Sequence, residues 1–356
     1  MRKKSLTVIK KVKEKRKLIK DIKVKKFYQK FEDILNKNTK KDNIALAISG
    51  GSDSLSLAYF GKIYKVKSKK KVHFIIVNHK IRKEATKESL VVKKILKQKG
   101  IIAQVLSYKG KTPKNNIQKN ARDIRYSLIS NYCFKKNIKY LITAHHLDDQ
   151  IENFFIRLIR GSGLTGLSSM AESVSYNENL KIIRPFLDFK KEDLKFITLS
   201  FFSSFIQDPS NKDEKFLRVR VRKYRENMEK EGLDTSKIIK TVKNLLSANK
   251  ALNYYKNKAL YKHVSFLSEN KCSINTHIFS EEATEIIFKS FSDILSLVSG
   301  TYYPPRSKKV TYLIDSIKKS KFKKSTLGGC IIEKKDSFIL VSKEPRLRKT
   351  PIALRK

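Results

Sequence analysis

The stretch Asn43–Ser54, NIALAISGGSDS, decides the fold of the first half of the chain. Its apolar first part, Asn43–Ser49, predicts a short buried strand, and DSLSLAYFGKIY, Asp53–Tyr64, predicts a helix. The two glycines between them allow a sharp turn and let backbone amide hydrogens come close to a ligand. The helix N-terminus adds unpaired donors and a partial positive charge. The stretch therefore predicts a pyrophosphate-binding loop at the end of the first strand.

The loop also carries hydroxyl groups and one acid. No Gly-Lys-Ser/Thr follows, so the pattern is not that of a Walker loop. Asp53 would repel a bare phosphate, so we expect a Mg²⁺ ion between the two, with Asp53 as its ligand. An ordinary Gly-Gly turn with a serine cap is the simpler alternative, but it needs neither three serines nor an acid. The predicted nucleotide-binding residues of the loop are Ser49, Gly50, Gly51, Ser52, Asp53 and Ser54.

Strands and helices alternate outward from the loop. Strands separated by helices imply an α/β fold, in which a parallel sheet is covered by helices on both faces. Such sheets bind ligands beyond the carboxyl ends of their strands, where we expect the site. The predicted strands are 43–49, 72–79, 101–108, 139–146 and 180–186, and the predicted helices are 53–64, 83–99, 116–137 and 147–160.

The pattern divides the chain into three predicted segments. Residues 1–41 form a Lys-rich lead, interpreted as a solvated basic arm, with an RNA-touching arm and a targeting peptide as alternatives. Residues 42–226 form the α/β domain. Residues 227–356 are predicted as a smaller, mainly helical domain that ends in a short hairpin.

The chain is strongly basic. Its 80 Lys and Arg against 33 Asp and Glu give a formal net charge of +47, which suggests a polyanionic partner. A lysine excess is also what an A/T-rich genome produces without selection for binding. The arginines are more informative, because nine of the sixteen lie between Arg122 and Arg225, beside only ten lysines. That concentration indicates a need for bidentate donors to carboxylates or phosphates.

Apolar runs and cysteines bound the class of protein. No stretch approaches the roughly 18 apolar residues of a membrane span, so we expect a soluble, cytoplasmic protein with no membrane partner. Cys133, Cys272 and Cys330 show no paired spacing. This argues against a disulfide scaffold, a zinc ribbon and a cysteine-bound cluster.

An acidic segment, HHLDDQIEN, follows the fourth predicted strand. Asp149 and Glu152 lie three residues apart and therefore share a helix face. Because His145, His146 and Asp148 lie beside these two acids, one interpretation is a metal-hydrolase site. Against it, adjacent residues point in different directions. Asp148 alone is also explained as an acid favoured at a helix start.

Several cationic side chains complete the set of candidates. Arg125 can stabilise phosphate charge in a transition state, or it forms a surface ion pair. His79 follows the second strand and contacts adenine, ribose or RNA, unless it is an ordinary loop histidine. Arg218, Arg220 and Arg222 alternate in FLRVRVR, so in an extended segment they would share one face. RNA backbone contact and ion pairing between domains both remain open for these three.

The loop resembles the PP-loop of ATP pyrophosphatases, and the chain more broadly resembles the tRNA(Ile)-lysidine synthetase family. The resemblance is continuous over about 43–225 and weaker to about 345. It rests on SGGSDS at 49–54, VNHKIRKEATKES at 77–89, ARDIRY at 121–126, TAHHLDDQIENFFIRLIRGSGLTGL at 143–167, RPFLDFKKEDL at 184–194, DPSNKDEKFLRVRVR at 208–222 and LGGC at 327–330.

The resemblance implies an ATP- and Mg²⁺-dependent enzyme with an adenine nucleotide alpha hydrolase-like fold. It would join free L-lysine to the wobble cytidine of the CAU-anticodon isoleucine tRNA through an adenylated cytidine. The resemblance further implies that Asp149 and Glu152 handle lysine and that Arg125 contacts the nucleotide. The C-terminal domain would hold the rest of the tRNA. A tRNA-thiolating PP-loop enzyme and a non-catalytic RNA-binding protein are the alternatives, and the sequence leaves open whether the chain forms a homodimer.

Overall fold

A computed structural model describes residues 21–39, 42–68, 70–81, 84–110, 112, 117–168, 170–206, 214–215, 217–301, 304–319 and 321–345. The chain divides into two compact units, Met1–Val242 and Lys243–Lys356. The predicted domain boundary after residue 226 lies earlier in the chain than this division. Among the described residues, no helix has both the length and the apolar character needed to cross a membrane.

The first unit is built on a six-stranded sheet in the order β3-β2-β1-β4-β6-β5. All pairings are parallel except that between β5 and β6. Leu46 at the centre pairs with Phe74 on one side and Ile142 on the other. The strands are β1 Ile44–Ile48, β2 Val72–Asn78, β3 Ala103–Ser107, β4 Tyr140–Ile142, β5 Ser173–Asn177 and β6 Leu180–Ile183. The predicted α/β fold with a parallel sheet is confirmed.

Eight helices belong to the described part of this unit, and a ninth begins in it. They are α1 Ile22–Thr39, α2 Ser52–Ser68, α3 Ala85–Gln98, α4 Ile117–Lys135, α5 Leu147–Ile159, α6 Leu164–Leu167, α7 Lys191–Phe202, α8 Leu217–Lys230 and α9 Thr235–His263. Two apolar clusters pack against the sheet. One contains Phe60 and Phe186, and the other contains Ile75 and Ile129. The carboxyl ends of the five parallel strands therefore lie at one edge of the sheet.

Helix α1 corrects the prediction of a basic arm over 1–41. Val24, Tyr28, Phe31 and Leu35 recur at intervals of three and four residues and are buried in the core. The apolar stripe was not recognised as a core-facing helix because lysines dominate the composition of the segment. The described lysines of this helix lie on its outer face. Within the predicted arm, residues 1–20 and 40–41 lie outside the described part of the chain.

The second unit combines helices with a five-stranded antiparallel sheet in the order β7-β8-β11-β10-β9. Its remaining helices are α10 Ile278–Glu281, α11 Thr284–Ser299 and α12 Ser307–Lys318. The predicted hairpin corresponds to β10 and β11, but three further strands extend it into a sheet. The strands are β7 Val264–Ser268, β8 Lys271–Asn275, β9 Lys324–Leu327, β10 Cys330–Lys335 and β11 Phe338–Lys343.

Candidate active site

The candidate site lies where β1 and β4 run side by side. From β1 the chain passes through α2 to β2 on one side, whereas β4 leads through α5 towards β6 on the other side. The strand order therefore reverses between β1 and β4, and such a switch point opens a crevice beyond the carboxyl ends. The loop 49–54 follows β1, and the acidic segment follows β4.

Ser54 organises the loop from within. Its Oγ accepts hydrogen bonds from the backbone N–H groups of Ser49 at 3.1 Å and Gly50 at 3.0 Å. The same hydroxyl donates to the carbonyl of Gly51 at 3.0 Å. Ser54 is therefore a structural residue of the loop in this conformation.

The two glycines of the loop have different roles. Gly50 has φ +94°, and a Cβ there would lie 2.3 Å from Cγ2 of Val92. Any larger residue would strain both the backbone and the packing. Gly51 has no heavy atom within 4 Å of the position of a Cβ. Open space therefore lies in front of Gly51, as a ligand-binding loop requires.

His146 stands between the loop and the acidic helix. Its Nε2 lies 3.5 Å from Oδ2 of Asp53 and 3.5 Å from Oδ2 of Asp149. Burial alone would lower the pKa of His146, but Asp53, Asp149 and Asp148 outweigh it and raise that pKa. The His146 ring thus lies between two carboxylates that come from neighbouring strand ends.

Asp53 is ionised in this arrangement. Burial would raise its pKa, but the hydrogen bond and charge of His146, with help from Ser52 and Lys191, lower it overall. Ser52 donates to Oδ1 at 2.9 Å. The side chain keeps 29% of its surface exposed, so the carboxylate remains open to a ligand.

His145 differs from its neighbour. Burial is the main reason that its pKa falls to about 4, and the nearby arginines Arg184, Arg122 and Arg218 act in the same direction. Its Nδ1 lies 2.9 Å from the hydroxyl of Thr143. His145 is therefore neutral at physiological pH.

The three acids of α5 divide into different environments. Oδ1 of Asp148 accepts from Arg225 at 2.7 Å, and its Oδ2 accepts from the backbone N–H of Lys191 at 3.1 Å. Asp149 caps the helix through its Oδ2, which accepts from the N–H of His146 at 3.1 Å. Glu152 is buried, and its two oxygens accept from Nε and Nη2 of Arg222 at 2.5 and 3.3 Å.

The alternating arginines lie in helix α8, which corrects the prediction of an extended segment with one shared face. Arg218 and Arg222 are four residues apart and both face Glu152, with Nε of Arg218 3.9 Å from it. Arg220 lies on another side, where it donates to the carbonyls of Glu214 and Lys215. Residues 207–213 and 216, within or beside the quoted motif, lie outside the described residues.

Arg125 and His79 occupy outlying positions. Arg125 is exposed on α4. His79 is half-buried just after β2, and its Nδ1 accepts from the N–H of Ile81 at 3.2 Å. The structure thus brings Asp53 and Asp149 together at His146, with Glu152 one helical turn after Asp149.

Comparisons with known proteins decide the family. The PP-loop domain family matches residues 22–226. The tRNA(Ile)-lysidine synthase of Orientia tsutsugamushi (strain Boryong) is 33% identical over 310 residues, covering 85% of this chain and 69% of that protein. The enzyme of the same name from Wolbachia pipientis wMel is 31% identical over 318 residues, covering 88% and 74%. This chain belongs to the tRNA(Ile)-lysidine synthase family.

A solved structure supports the fold of this family member. The U34-tRNA thiolase NcsA from Methanococcus maripaludis, determined with its [4Fe-4S] cluster, has a TM-score of 0.54 at 21% identity. The match covers 64% of this chain and 81% of the thiolase. At that identity the likeness concerns the fold alone.

Sequence patterns did not predict some residues that support the site of this lysidine synthase family member. Arg225 and the backbone of Lys191 hold Asp148, yet they lie 77 and 43 residues away in the chain. Thr198 on α7 donates to the carbonyl of Ser52 at 2.5 Å and so supports the loop. The clustering of arginines up to Arg225 was the one signal available, and it does not identify a partner.

Proposed function

We propose that this chain uses ATP to ligate lysine to the wobble cytidine of the CAU-anticodon isoleucine tRNA. The product of this ligation is lysidine. One observation carries the proposal: His146 joins Asp53 of the phosphate-binding loop to Asp149 of the acidic helix, at 3.5 Å from each. The proposed nucleotide site and the proposed site for the lysine amine are therefore adjacent. Family membership supports the same reaction.

The first step activates the base. The cytidine O2 attacks the α-phosphate of ATP, and pyrophosphate leaves towards the loop 49–54, whose helix N-terminus and backbone amides stabilise negative charge. The adenylated oxygen is then a good leaving group. In the second step the lysine side-chain amine attacks ring carbon 2, and AMP departs with that oxygen. The base is accessible because an anticodon loop presents it unpaired.

Asp149 is the proposed direct ligand of the lysine ammonium. A lysine side chain is protonated at neutral pH, so it needs a carboxylate for binding and must lose a proton before it attacks. Oδ2 of Asp149 caps α5, and the side chain is 16% exposed. Glu152 is enclosed by Arg222 and Arg218, so it contributes by holding those arginines unless Arg222 moves.

The residues at the loop fit a magnesium ion that arrives with the nucleotide. Mg²⁺ is usually held by one or two carboxylates together with substrate phosphates and water. Asp53 supplies one ionised, partly exposed carboxylate, and the described residues contain no group of three acids, histidines or cysteines that would bind a metal alone. Such an ion would neutralise phosphate charge, and Asp53 would hold it.

RNA contacts are proposed for the arginines and for the second unit. Arg218 is exposed near Glu152, Arg220 is partly exposed on another side of α8, and both are proposed to contact the tRNA backbone. Arg125 and His79 are proposed to contact the nucleotide or the RNA. Lys-rich surface in the second unit would hold more distant parts of the tRNA.

The thiolase alternative has weaker support. The thiolase that shares the fold carries an iron–sulfur cluster, which needs several cysteine thiolates together. In this chain Cys133 is buried in the first unit, whereas Cys272 and Cys330 are buried in the second. A non-catalytic RNA-binding protein would have no use for the paired Asp53 and Asp149.

The test is incorporation of labelled lysine into a CAU-anticodon isoleucine tRNA transcript in the presence of ATP. We expect one lysine incorporated for each pyrophosphate released. A matched transcript with uridine at the wobble position is expected to accept none, and Asp53→Asn is expected to lose at least about a hundredfold in rate. Pyrophosphate release that requires the tRNA but transfers no lysine would refute the proposed reaction.

A further inference from the structure

The second unit carries an unusual stripe of side chains on α9. Tyr254, Lys258, Tyr261 and Lys262 follow the spacing i, i+4, i+7 and i+8, which places them on one helix face. That spacing is typical of a stripe that packs into a core. Here the tyrosines are exposed instead: Tyr254 retains 61% and Tyr261 95% of its surface.

The opposite side of α9 already serves the core. Ala259 and His263 are buried, and Leu260 packs against the apolar cluster of the second unit. The tyrosine stripe is therefore not needed to hold the helix in place. Large aromatic side chains left in water have an unused contact surface.

The stripe lines an open cavity of about 590 Å³, which Tyr255 and Glu282 also border. Small-ligand sites span roughly 300–1,000 Å³, so the cavity has room for a nucleotide. The rings of Tyr254 and Tyr255 lie 5.4 Å apart at 81°, and Nζ of Lys258 lies 5.8 Å from the Tyr254 ring centre. Flat aromatic faces and ammonium groups are thus presented together.

The charge of the helix selects the class of partner. Helix α9 contains seven lysines and no acidic residue. Of the acids near its end, Glu281 pairs with Lys262 at 2.5 Å, and Glu282 lies 3.5 Å from His263. Lysines that follow a strand backbone, interleaved with aromatic rings that stack on unpaired bases, are the chemistry of single-stranded nucleic-acid binding.

We infer that the surface formed by Tyr254, Tyr255, Lys258, Tyr261 and Lys262, the tyrosine surface, binds unpaired nucleotides of the tRNA by stacking. The inference rests on the proposed function, because that function supplies the RNA. It adds a second contact, made by bases, at a surface that contains none of the residues proposed for catalysis. The site would tolerate different bases, since stacking does not read their edges.

The experiment measures binding of fluorescent CAU-anticodon isoleucine tRNA transcript to the full chain by anisotropy. Variants are Tyr254→Ala/Tyr261→Ala, the matched Tyr254→Phe/Tyr261→Phe, and Tyr312→Ala, which removes a tyrosine of α12 that is 75% exposed outside the tyrosine surface. We expect the alanine pair to raise Kd at least about tenfold, while the phenylalanine pair and Tyr312→Ala stay within about threefold. Lys258→Gln is expected to reduce the salt dependence of log Kd by about one unit.

Unchanged affinity of the alanine pair, as expected if the cavity served a protein partner, would overturn the inference. So would an equal loss in Tyr312→Ala or in the phenylalanine pair. Thermal melting of each variant checks that it is folded. Pyrophosphate release at saturating tRNA is measured in parallel. A wild-type chain that binds tRNA but releases no pyrophosphate contradicts the proposed function and leaves the binding comparison readable.

Discussion

At the scale of single residues, the site separates acids that build it from acids that remain open. Asp148 has both oxygens engaged, by Arg225 and by the start of α7. Asp149 uses Oδ2 to accept from the N–H of His146, and Asp53 keeps 29% of its side chain exposed. Asp148 is thereby assigned a structural role, which the sequence alone left open between a helix-start acid and a ligand.

The stability contribution of Asp148 is testable. Burial would raise its pKa, but the hydrogen bond and charge of Arg225 lower it below the ordinary 3.8. A charged hydrogen bond of this kind contributes about 1.5–3 kcal/mol, so Asp148→Asn should lower the free energy of unfolding at pH 7 by that amount. Because the folded pKa is depressed, the contribution is present above the unfolded pKa and is lost as pH falls through the folded value.

Urea denaturation of wild type and Asp148→Asn at pH 7 and at steps down to pH 3 measures this difference. It should be largest at neutral pH and shrink below about pH 3.8. Glu178→Gln, a change in the exposed turn between β5 and β6, is the control. A difference that is constant with pH would mean that the ionised pair does not stabilise the fold.

At the scale of elements, the arginines of helix α8 have different partners. Arg222 makes two hydrogen bonds to the buried Glu152, whereas Arg220 contacts two exposed carbonyl groups. Loss of one partner of a buried ion pair costs about 3–5 kcal/mol, because the other charge is left unpaired. We therefore expect Arg222→Gln to reduce stability by about that range and activity severely, and Arg220→Gln to cost under about 1 kcal/mol.

Chemical denaturation and lysine incorporation of the two variants check this order. Glu152→Gln/Arg222→Gln should be more stable than Arg222→Gln, since it removes the unpaired carboxylate. Equal effects of the substitutions at 220 and 222 would favour an extended segment over the helix.

Helix α1 packs into the core of the α/β domain, and its contribution to stability is testable. Phe31 is fully buried among Tyr28, Phe60, Tyr64 and Phe186. Phe31→Ala should destabilise the fold by about 3–5 kcal/mol, whereas Ile22→Ala, at a residue 75% exposed, should change it by less than about 0.5 kcal/mol. Melting curves compare the two, and a Phe31→Ala variant as stable as wild type would refute the packing.

The same elements show what sequence patterns could predict. The loop 49–54 and the strands around it were found because their signals are local: the strands are strongly apolar, and glycines and serines mark the loop. Helix α8 was misread because Val219 and Val221 alternate with arginines as in a strand, although both valines are buried against the rest of the unit. The strands β5, β7, β8 and β9 were missed because they are short, and β5, β7 and β9 are also largely exposed, which weakens the apolar signal.

At the scale of the whole molecule, a PP-loop domain is followed by a second unit with its own core. The site residues that sequence could not find are those whose partners are distant in the chain, such as Arg225 with Asp148. Long-range pairing depends on the completed fold, in which α5 and α8 lie together. The sequence therefore identified acids that lie together at the strand ends, and it did not identify the residues that support them.

The central claim is that the loop 49–54 binds the phosphates of ATP, and Gly51→Val tests it most directly. Gly51 has no atom within 4 Å of a Cβ, so a valine fits the folded chain but occupies the space proposed for the ligand. Calorimetric titration with ATP and Mg²⁺ should show binding to wild type and at least about a hundredfold weaker binding to the variant, while the melting temperature stays within about 2 °C. A Gly51→Val chain that is folded and binds ATP as wild type does would contradict the account.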